Sequence, residues 1–576
     1  MTSTGSYMLA ALVRLRAALQ GASLPLDVPS VADHRAAREE MADQLEDYVI
    51  PRIVTLEAPL LAVVGGSTGA GKSTLVNSLV GSVVTESGVL RPTTRSPVLV
   101  HNPADTEWFG ADRLLPDLER VHHPTHDPHS LQLVPLDVVP QGLAILDAPD
   151  VDSVEESNRR LAAQLLAAAD LWLFVTSAAR YADQVPWDFL REAAERSAAV
   201  AVVLDRTPVD ALETVSSHLA RMLAARGLKD SPLFTIHEVE LSDSGLVAPR
   251  HVAEIRAWLA ELGGDPDARA EMVKQTIEGA VRSLTRRAHF VADGCVQQSE
   301  SAQRLREAAD AAYDDEIRAV LAATSDGTLL RGEVLVRWQE LVGTGELLST
   351  LEAKVGWIRD RMVNAIKGKP QQAERVNAAV AASLESLVLE HGEAAAESAA
   401  ESWRGLAAGR DLLADVGEGL VRASNGLRRQ AGRAVGQWQE EVLELVRAEG
   451  ADKRTTARFL AYGVSGLGVA VMVVVLAGPE QSGDAEGGIS AQSAQLGRTL
   501  LEAVLGGEAV GSLLDEARRR LESTVRALLD EERHRYLDLL ASLRIDPDAA
   551  DILRNAARGV DDLRYATVER SGTHSH

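Results

Sequence analysis

Between about Pro59 and Gly264, short runs of apolar residues alternate with stretches whose apolar positions recur three and four residues apart. The short runs are typical of buried strands, and the stretches between them supply the helical crossovers that parallel strands require. This pattern predicts an α/β domain with a mostly parallel sheet. Its expected strands are residues 59–64, 98–101, 131–134, 143–146, 171–175, 199–204 and 233–236.

Helical periodicity dominates on both sides of this domain. Residues 7–20 and 31–50 predict two helices, and long helical blocks run from about Asp265 almost to Asp546. No fixed-period repeat occurs in the second half, which favours an extended all-α bundle or stalk over a solenoid. The predicted division is an N-terminal helical arm (1–50), the α/β domain (51–265), a helical stalk (266–458), an apolar segment (459–478), a C-terminal helical region (479–569) and a disordered tail (570–576).

The apolar segment from Phe459 to Gly478 carries no charge for twenty residues. That length crosses a hydrocarbon core of about 30 Å, so the segment predicts a transmembrane or membrane-inserting helix. Basic residues precede it and acidic residues follow it, a bias that keeps the α/β domain on the cytoplasmic face of the cell membrane. The alternative is a buried central helix of the bundle, in which case the protein is cytoplasmic.

Composition narrows the function classes. A formal net charge of -25 repels nucleic acid phosphates, so no nucleic acid partner is expected. Cys295 is the single cysteine, which suits a reducing compartment. The first residues lack the basic start and apolar stretch of a secretory signal. We therefore expect the main body of the protein to be cytoplasmic.

A glycine-rich segment follows the first predicted strand and leads into a helix. Its pattern, GSTGAGKS at residues 66–73, is that of a phosphate-binding P-loop, in which backbone N–H groups and the helix dipole cradle phosphates. Lys72 is expected to reach the β- and γ-phosphates, and Ser73 to ligate Mg²⁺. The nucleotide-binding residues predicted here are Gly66, Ser67, Thr68, Gly69, Ala70, Gly71, Lys72, Ser73 and Thr74.

A second element, Asp147-Ala-Pro-Asp150, ends the predicted strand at 143–146. An acidic residue in that place suits a magnesium ligand that acts through water, so Asp147 is assigned to nucleotide and metal binding. Between the two elements lies a polar loop, Val89–Pro97, that contains Thr93 and Thr94. It precedes the predicted strand at 98–101.

These motifs resemble those of the dynamin superfamily, and more narrowly those of bacterial dynamin-like large GTPases. The resemblance covers residues 59–264 at the level of motifs and the helical remainder in layout only. It implies a GTPase that uses Mg²⁺, whose α/β domains self-associate, and whose stalk acts on a lipid membrane. It also implies that Thr94, with Thr93 as the alternative, closes over magnesium and γ-phosphate.

Three positions depart from the pattern of that family. Asp150 stands where the family has a glycine, and its carboxylate is expected to point away from the phosphates. Thr68 stands where dynamins carry a glutamine that organises the attacking water, and it is the catalytic candidate in its place. Pro208 replaces the aspartate of the guanine motif. Arg206 and Asp205, with Asp210 as the alternative to Asp205, are the predicted base contacts, and the resemblance alone favours GTP over ATP.

Two functions remain open from the sequence. The first is a dynamin-like GTPase with Lys72, Thr94 and Thr68 as catalytic residues and Ser73, Thr94 and Asp147 as metal ligands, coupled to membrane association or remodelling through its stalk. The second is a soluble P-loop regulatory switch or scaffold, in which the apolar segment is a buried bundle helix.

Overall fold

In the structure, a computed structural model, the chain forms two compact units. The first comprises residues up to 24, 30–297 and 546 onward, and the second comprises residues 25–29 and 298–545. The described residues are 3–86, 96–111, 113, 115–125, 127–153, 156–195, 199–342, 370–451, 457–478 and 489–572.

The first unit contains the sheet that the alternating pattern predicts, with eight strands in the order β3-β4-β2-β5-β1-β6-β7-β8. Its neighbouring strands are parallel except β2 and β5, which are antiparallel, so the sheet is mixed. The strands are β1 (Leu60–Gly66), β2 (Val98–His101), β3 (Glu119–Val121), β4 (Ser130–Pro135), β5 (Leu143–Asp147), β6 (Leu171–Ser177), β7 (Ala199–Thr207) and β8 (Leu233–His237).

All seven strands predicted from the sequence are present, whereas β3 was missed. Its three residues, Glu119, Arg120 and Val121, include two charged side chains and form no apolar run. The side chains of β3 are exposed or half-buried, while β1 and β6 are buried along their whole length. An edge strand of this kind leaves no hydrophobic signature.

Helices pack around this sheet and form the arm that precedes it. The helices of the first unit are α1 (Ser3–Gly21), α2 (Val31–Gln44), α3 (Ile50–Val54), α4 (Lys72–Val80), α5 (Glu156–Ala167), α6 (Gln184–Glu195), α7 (Leu212–Ala225) and α8 (Pro249–Gly264), with a π-turn at Leu45–Val49 between α2 and α3. Helix α9 (Pro266–Ala323) belongs to both units, its residues up to 297 to the first.

The second unit is helical. Besides the remainder of α9, its helices are α10 (Glu333–Val342), α11 (Pro370–Arg404), α12 (Ala407–Val416), α13 (Leu427–Glu449), α14 (Ala457–Ala477), α15 (Ile489–Leu505) and α16 (Gly507–Ser542). Helix α17 (Ala549–Gly572) returns to the first unit and reaches three residues into the segment predicted as a tail.

Aromatic side chains order the core of the second unit. The rings of Trp403 and Tyr536 meet edge to face, with centroids 5.0 Å apart. The Trp403 indole donates to the Leu305 carbonyl at 2.8 Å, and the Trp438 indole to the Ala517 carbonyl at 3.0 Å. Since a buried indole N–H costs free energy unless it is paired, these bonds fix how the helices pack.

Helix α14 holds the apolar segment from Phe459 to Gly478, and it does not form the expected transmembrane-length helix. The backbone leaves helical geometry at Gly463 (φ 68°). The stretch from Val464 to Ala477 then rises only about 21 Å, less than a hydrocarbon core of about 30 Å. Among the described residues, we find no helix whose length and apolar character would let it cross a bilayer.

The apolar side chains in the second half of α14 pack inside the second unit. Residues from Leu467 to Leu476 are buried against α11, α13, α15 and α16. A methyl group at Gly468 would lie 2.4 Å from the Leu443 side chain, and one at Gly497 would lie 3.0 Å from Val474. Small residues therefore let these helices approach closely, as in the buried-helix alternative.

A buried ion pair joins α3 to the residue that precedes β6. The guanidinium of Arg52 donates to both carboxylate oxygens of Asp170, at 3.0 and 2.8 Å. The Tyr48 hydroxyl and the Leu61 backbone N–H donate to the same carboxylate, at 3.0 and 2.8 Å. Burial raises the pKa of Tyr48 well above its usual range, and the Asp170 charge adds to the rise. Every oxygen of this carboxylate is thus satisfied.

We predict that Asp170→Ala destabilises the first unit by about 3–5 kcal/mol, because it leaves the Arg52 charge buried without its partner. Differential scanning calorimetry of the full chain should show a melting temperature lower by roughly 5 °C or more. The control is Glu156→Ala, which removes the exposed pair of Glu156 with Arg160 and should change the free energy of unfolding by less than about 1 kcal/mol. Equal shifts in the two variants would contradict the prediction.

Candidate nucleotide-binding site

The loop between β1 and α4 needs glycine at its ends. Gly66 has φ 143°, and a methyl group there would lie 2.0 Å from the Val175 carbonyl oxygen on the neighbouring strand β6. Gly71, the residue before α4, has φ 104°. Both backbone conformations are ones that other residues rarely adopt. The loop therefore turns tightly from a buried strand into the N-terminus of a helix, which attracts anions through its free N–H groups and dipole.

Lys72 lies inside this loop with only 5% of its surface exposed. Its ammonium donates to the carbonyls of Gly66 and Ser67, each at 3.1 Å, and to the carboxylate of Asp150. An ammonium has three protons to donate, and the three acceptors match that number. The expectation that Asp150 points away is therefore wrong, because a buried positive charge is costly without a counterion and Asp150 supplies one.

Asp147 ends β5 directly beside the end of β1, where it pairs in register with Val64. Its side chain is fully buried, and one carboxylate oxygen, Oδ2, accepts a hydrogen bond from the Thr85 hydroxyl at 2.8 Å. Burial raises the pKa of Asp147 above its usual value, although hydrogen bonds from Ser73 and Thr85 oppose the rise. The other oxygen, Oδ1, is buried and has no hydrogen-bond partner among the described residues.

Thr85 is a residue of this site that sequence reasoning missed. It lies beyond α4 in irregular chain, where no motif spacing marks it. The Asn77 side chain, on α4, accepts from the backbone N–H groups of Val84 and Thr85 at 2.8 and 3.1 Å and donates to the Thr85 carbonyl at 2.8 Å. This clamp holds the Thr85 hydroxyl against Asp147.

Thr68 takes part in a hydrogen-bonded chain on the outer side of the loop. Its backbone N–H and its hydroxyl both donate to one oxygen of Asp152, at 2.6 and 2.7 Å. The other oxygen of Asp152 lies 3.3 Å from the guanidinium of Arg180, which is as close to Asp183. Asp152 and Arg180 had no assigned role in the sequence, because they belong to no fixed spacing and meet only through the fold.

The end of β7 brings the two predicted base contacts to the same loop. The Arg206 guanidinium donates to the Gly69 carbonyl at 3.3 Å, and the residue adopts a left-handed backbone (φ 49°). One oxygen of Asp205 accepts from the Arg206 backbone N–H at 2.8 Å, and the other lies against Gly71. Burial raises the pKa of Asp205 to about 6, although Arg206 opposes the rise.

The remaining predicted positions have mixed outcomes. Ser67, Gly69, Ala70 and Thr74 all belong to the loop and the first turn of α4. Thr93 and Thr94 lie outside the described residues, so Thr94 stays a prediction. The structure thus brings together Lys72, Ser73, Asp147, Thr68, Asp205 and Arg206 around the β1–α4 loop.

In sequence, this chain resembles known proteins in that region. The profile of the Dynamin family matches residues 61–205. A relative from Arabidopsis thaliana, described as a probable transmembrane GTPase FZO-like, chloroplastic, is 26% identical over 143 residues. That match covers 25% of this chain and 14% of the relative, so the chain spans only a small part of the relative's length.

Solved structures of bacterial dynamins align over most of the chain but with low scores. One, from work on an oligomerised bacterial dynamin pair in the sensing and tethering of membranes, is 10% identical, covers 90% of this chain and 96% of its own, and gives a TM-score of 0.28. Another, the LeoA bacterial dynamin GTPase from ETEC, is 11% identical, covers 97% of each chain and gives a TM-score of 0.23.

The raised pKa of Asp205 predicts a pH-dependent stability change. The folded carboxyl, with its pKa at about 6, holds its proton more tightly than the unfolded one, whose model value is 3.8. Ionisation of this carboxyl therefore destabilises the folded state. The loss of stability is complete above the folded pKa and absent below the unfolded pKa. Asp205→Asn should remove this cost, raising the free energy of unfolding by up to ~3 kcal/mol at about pH 7.5 and by much less at about pH 4.5.

Thermal melts of the full chain at the two pH values test this expectation. The matched control is Asp210→Asn, an exposed position just beyond β7 that loses the same charge. A stabilisation by Asp205→Asn that does not depend on pH, or one that Asp210→Asn reproduces, would contradict it.

Proposed function

We propose that this chain, a member of the dynamin superfamily through its residues 61–205, binds and hydrolyses GTP and couples that cycle to membrane association or remodelling. The geometry of the phosphate loop is the observation that supports GTP binding and hydrolysis. A buried ammonium, a helix N-terminus and a strand-end carboxylate converge on the tight turn between β1 and α4. This is the arrangement that binds the phosphates of a nucleoside triphosphate.

Magnesium fits the same site. Two hard oxygen donors lie next to each other here. One is the buried Oδ1 of Asp147, which accepts no hydrogen bond within the described part of the chain, and the other is the Ser73 hydroxyl, which bonds to the same carboxylate. No group of three His, Cys, Asp or Glu side chains suited to a metal occurs in the described part of the chain. We therefore assign Ser73 and Asp147 to the metal, and Thr94 by its resemblance to the dynamin threonine. Bound there, Mg²⁺ would neutralise charge on the phosphates.

The chemistry is in-line attack of water on the γ-phosphate. Lys72 stabilises the charge that develops on the transferring group and on the leaving diphosphate. The Thr68 hydroxyl donates a hydrogen bond to Asp152, which leaves its oxygen lone pairs available to accept one. In our proposal Thr68 orients the attacking water by accepting a hydrogen bond from it, and Arg180 holds Asp152 in place.

Base recognition falls to Asp205 and Arg206. The Arg206 guanidinium is planar, and its bond to the Gly69 carbonyl places it at the rim of the phosphate loop, where it can lie over a base. One oxygen of Asp205 lies against Gly71, at the turn before α4. Pro208 offers no carboxylate for the guanine N1 and N2 protons, so the preference for GTP over ATP rests on the family.

The burial of α14 favours a second candidate. If the apolar residues 467–476 serve only as a bundle core, the chain is a soluble regulatory GTPase whose helical unit binds protein partners. The two candidates share the phosphate site and differ in whether lipid takes part. The membrane-coupled GTPase would also self-associate through its α/β domain and reside at the cytoplasmic face of the cell membrane.

Lys72→Ala should reduce GTP turnover by at least ~100-fold, because it removes the cation that stabilises the transferring phosphoryl group. Phosphate release and equilibrium binding of a fluorescent GTP analogue measure the effect, with ATP as a competitor for base preference. The control is Lys229→Ala, which removes an exposed lysine of the same unit. Turnover equal to wild type in Lys72→Ala would refute the phosphate-site assignment.

Flotation with liposomes distinguishes the two candidates. For the membrane-coupled GTPase we expect the full chain to co-float with vesicles of anionic lipid more with a non-hydrolysable GTP analogue than with GDP. Lys72→Ala should lose that difference, because it no longer distinguishes the nucleotides. A chain that stays at the bottom of the gradient with every nucleotide would favour the soluble switch.

A further inference from the structure

Asp150 contacts the Lys72 ammonium and therefore limits which other groups Lys72 can bind. The Lys72 ammonium has three donors, and the carbonyls of Gly66 and Ser67 and the carboxylate of Asp150 occupy them. Other nearby carboxylates have partners of their own. Asp147 bonds with Thr85, and Asp152 with Thr68 and Arg180. Among these three carboxylates, Asp150 is the one in contact with the ammonium.

The contact with Asp150 is the strongest of the three. It joins two charged groups whose side chains are 4% and 15% exposed, whereas the other two acceptors are neutral carbonyls. Hydrogen bonds between ionised partners are roughly twice as strong as those between neutral ones. A ligand that needs a single donor of Lys72 therefore displaces a carbonyl first and leaves Asp150 in contact.

A triphosphate makes a larger demand than a diphosphate. The β-phosphate takes one donor of the P-loop lysine, and a γ-phosphate takes a second. The γ-phosphate also brings further negative charge next to the carboxylate, and like charges at that range repel strongly in a site shielded from water. A diphosphate can bind with Asp150 in contact with Lys72, whereas a triphosphate must displace it.

We propose that Asp150 is a specificity-determining residue that acts as an internal substitute for the γ-phosphate on Lys72 and lowers the affinity for triphosphate relative to diphosphate. This inference rests on the proposed function of the loop as a GTP site. The segment that contains Asp150 also meets the phosphate loop through its backbone, because the neighbouring Val151 N–H donates to the Gly66 carbonyl at 3.4 Å. Displacement of Asp150 by the third phosphate frees this segment from Lys72.

The test compares two nucleotides on the full chain in the presence of Mg²⁺. Equilibrium binding of fluorescent GDP and of a fluorescent non-hydrolysable GTP analogue gives the ratio of their dissociation constants. Asp150→Asn keeps the shape of the side chain and removes its charge. We expect it to shift the ratio by about tenfold toward the triphosphate, equivalent to about 1.4 kcal/mol, through tighter GTP-analogue binding and little change for GDP.

Two further variants secure the result. Asp137→Asn removes the same charge at an exposed position of the same unit, just after β4, and it should shift the ratio by less than about threefold. Asp150→Gly also removes the carboxylate and carries the same expectation as Asp150→Asn, so it replaces that variant if the latter misfolds.

The outcomes separate this inference from the proposed function. Wild type that binds both nucleotides, with an unchanged ratio in Asp150→Asn and Asp150→Gly, would overturn the role of Asp150 and leave the GTP site standing. An equal shift in Asp137→Asn would also overturn it, because loss of any one acidic charge would then suffice. Wild type that binds neither nucleotide would overturn the proposed function together with the inference.

Discussion

The burial of the Lys72 ammonium is the constraint on which the rest of the site depends. A positive charge that is almost entirely removed from water needs acceptors for all its protons and a negative charge close by. The tight turn at Gly66 supplies two carbonyls and the segment after β5 supplies Asp150. The geometry of the loop, the position of the segment and the charge balance of the site are therefore set together.

The order of the strands explains why these groups meet. β1 lies between β5 and β6, and β7 follows β6, with all of these neighbours parallel. The carboxyl ends of parallel strands share one edge of the sheet, which is where ligands bind in folds of this class. The strand order alone therefore brings together residues that are distant in sequence, such as Lys72, Asp147 and Asp205.

Sequence reasoning reached the parts of the fold that have a local pattern. Seven strands and the phosphate loop follow from apolar runs and glycine spacing, which are properties of neighbouring residues. Thr85, Asp152 and Arg180 have no such pattern, because their roles arise from contacts made across the fold. The expectation that Asp150 points away is wrong because repulsion from phosphate is outweighed by the need of the buried Lys72 for a counterion.

The apolar segment at 459–478 shows a different limit. Hydropathy measures how strongly a segment avoids water, and a bundle core and a bilayer satisfy that tendency equally. What separates them here is the break at Gly463 and the close approach of Leu443 to Gly468. Both depend on backbone geometry and on partners that a count of apolar residues does not contain.

Three carboxylates, those of Asp147, Asp150 and Asp152, lie close together beside the phosphate loop. Each has its own donors on the phosphate loop or nearby: hydroxyls for Asp147, the ammonium for Asp150, and Thr68 with Arg180 for Asp152. Three negative charges so close together are tolerable only with such separate pairing. A triphosphate adds further negative charge to the same place. It can bind there only if a cation accompanies it and one carboxylate gives way, and Asp150 is the carboxylate paired with the ammonium that phosphates require.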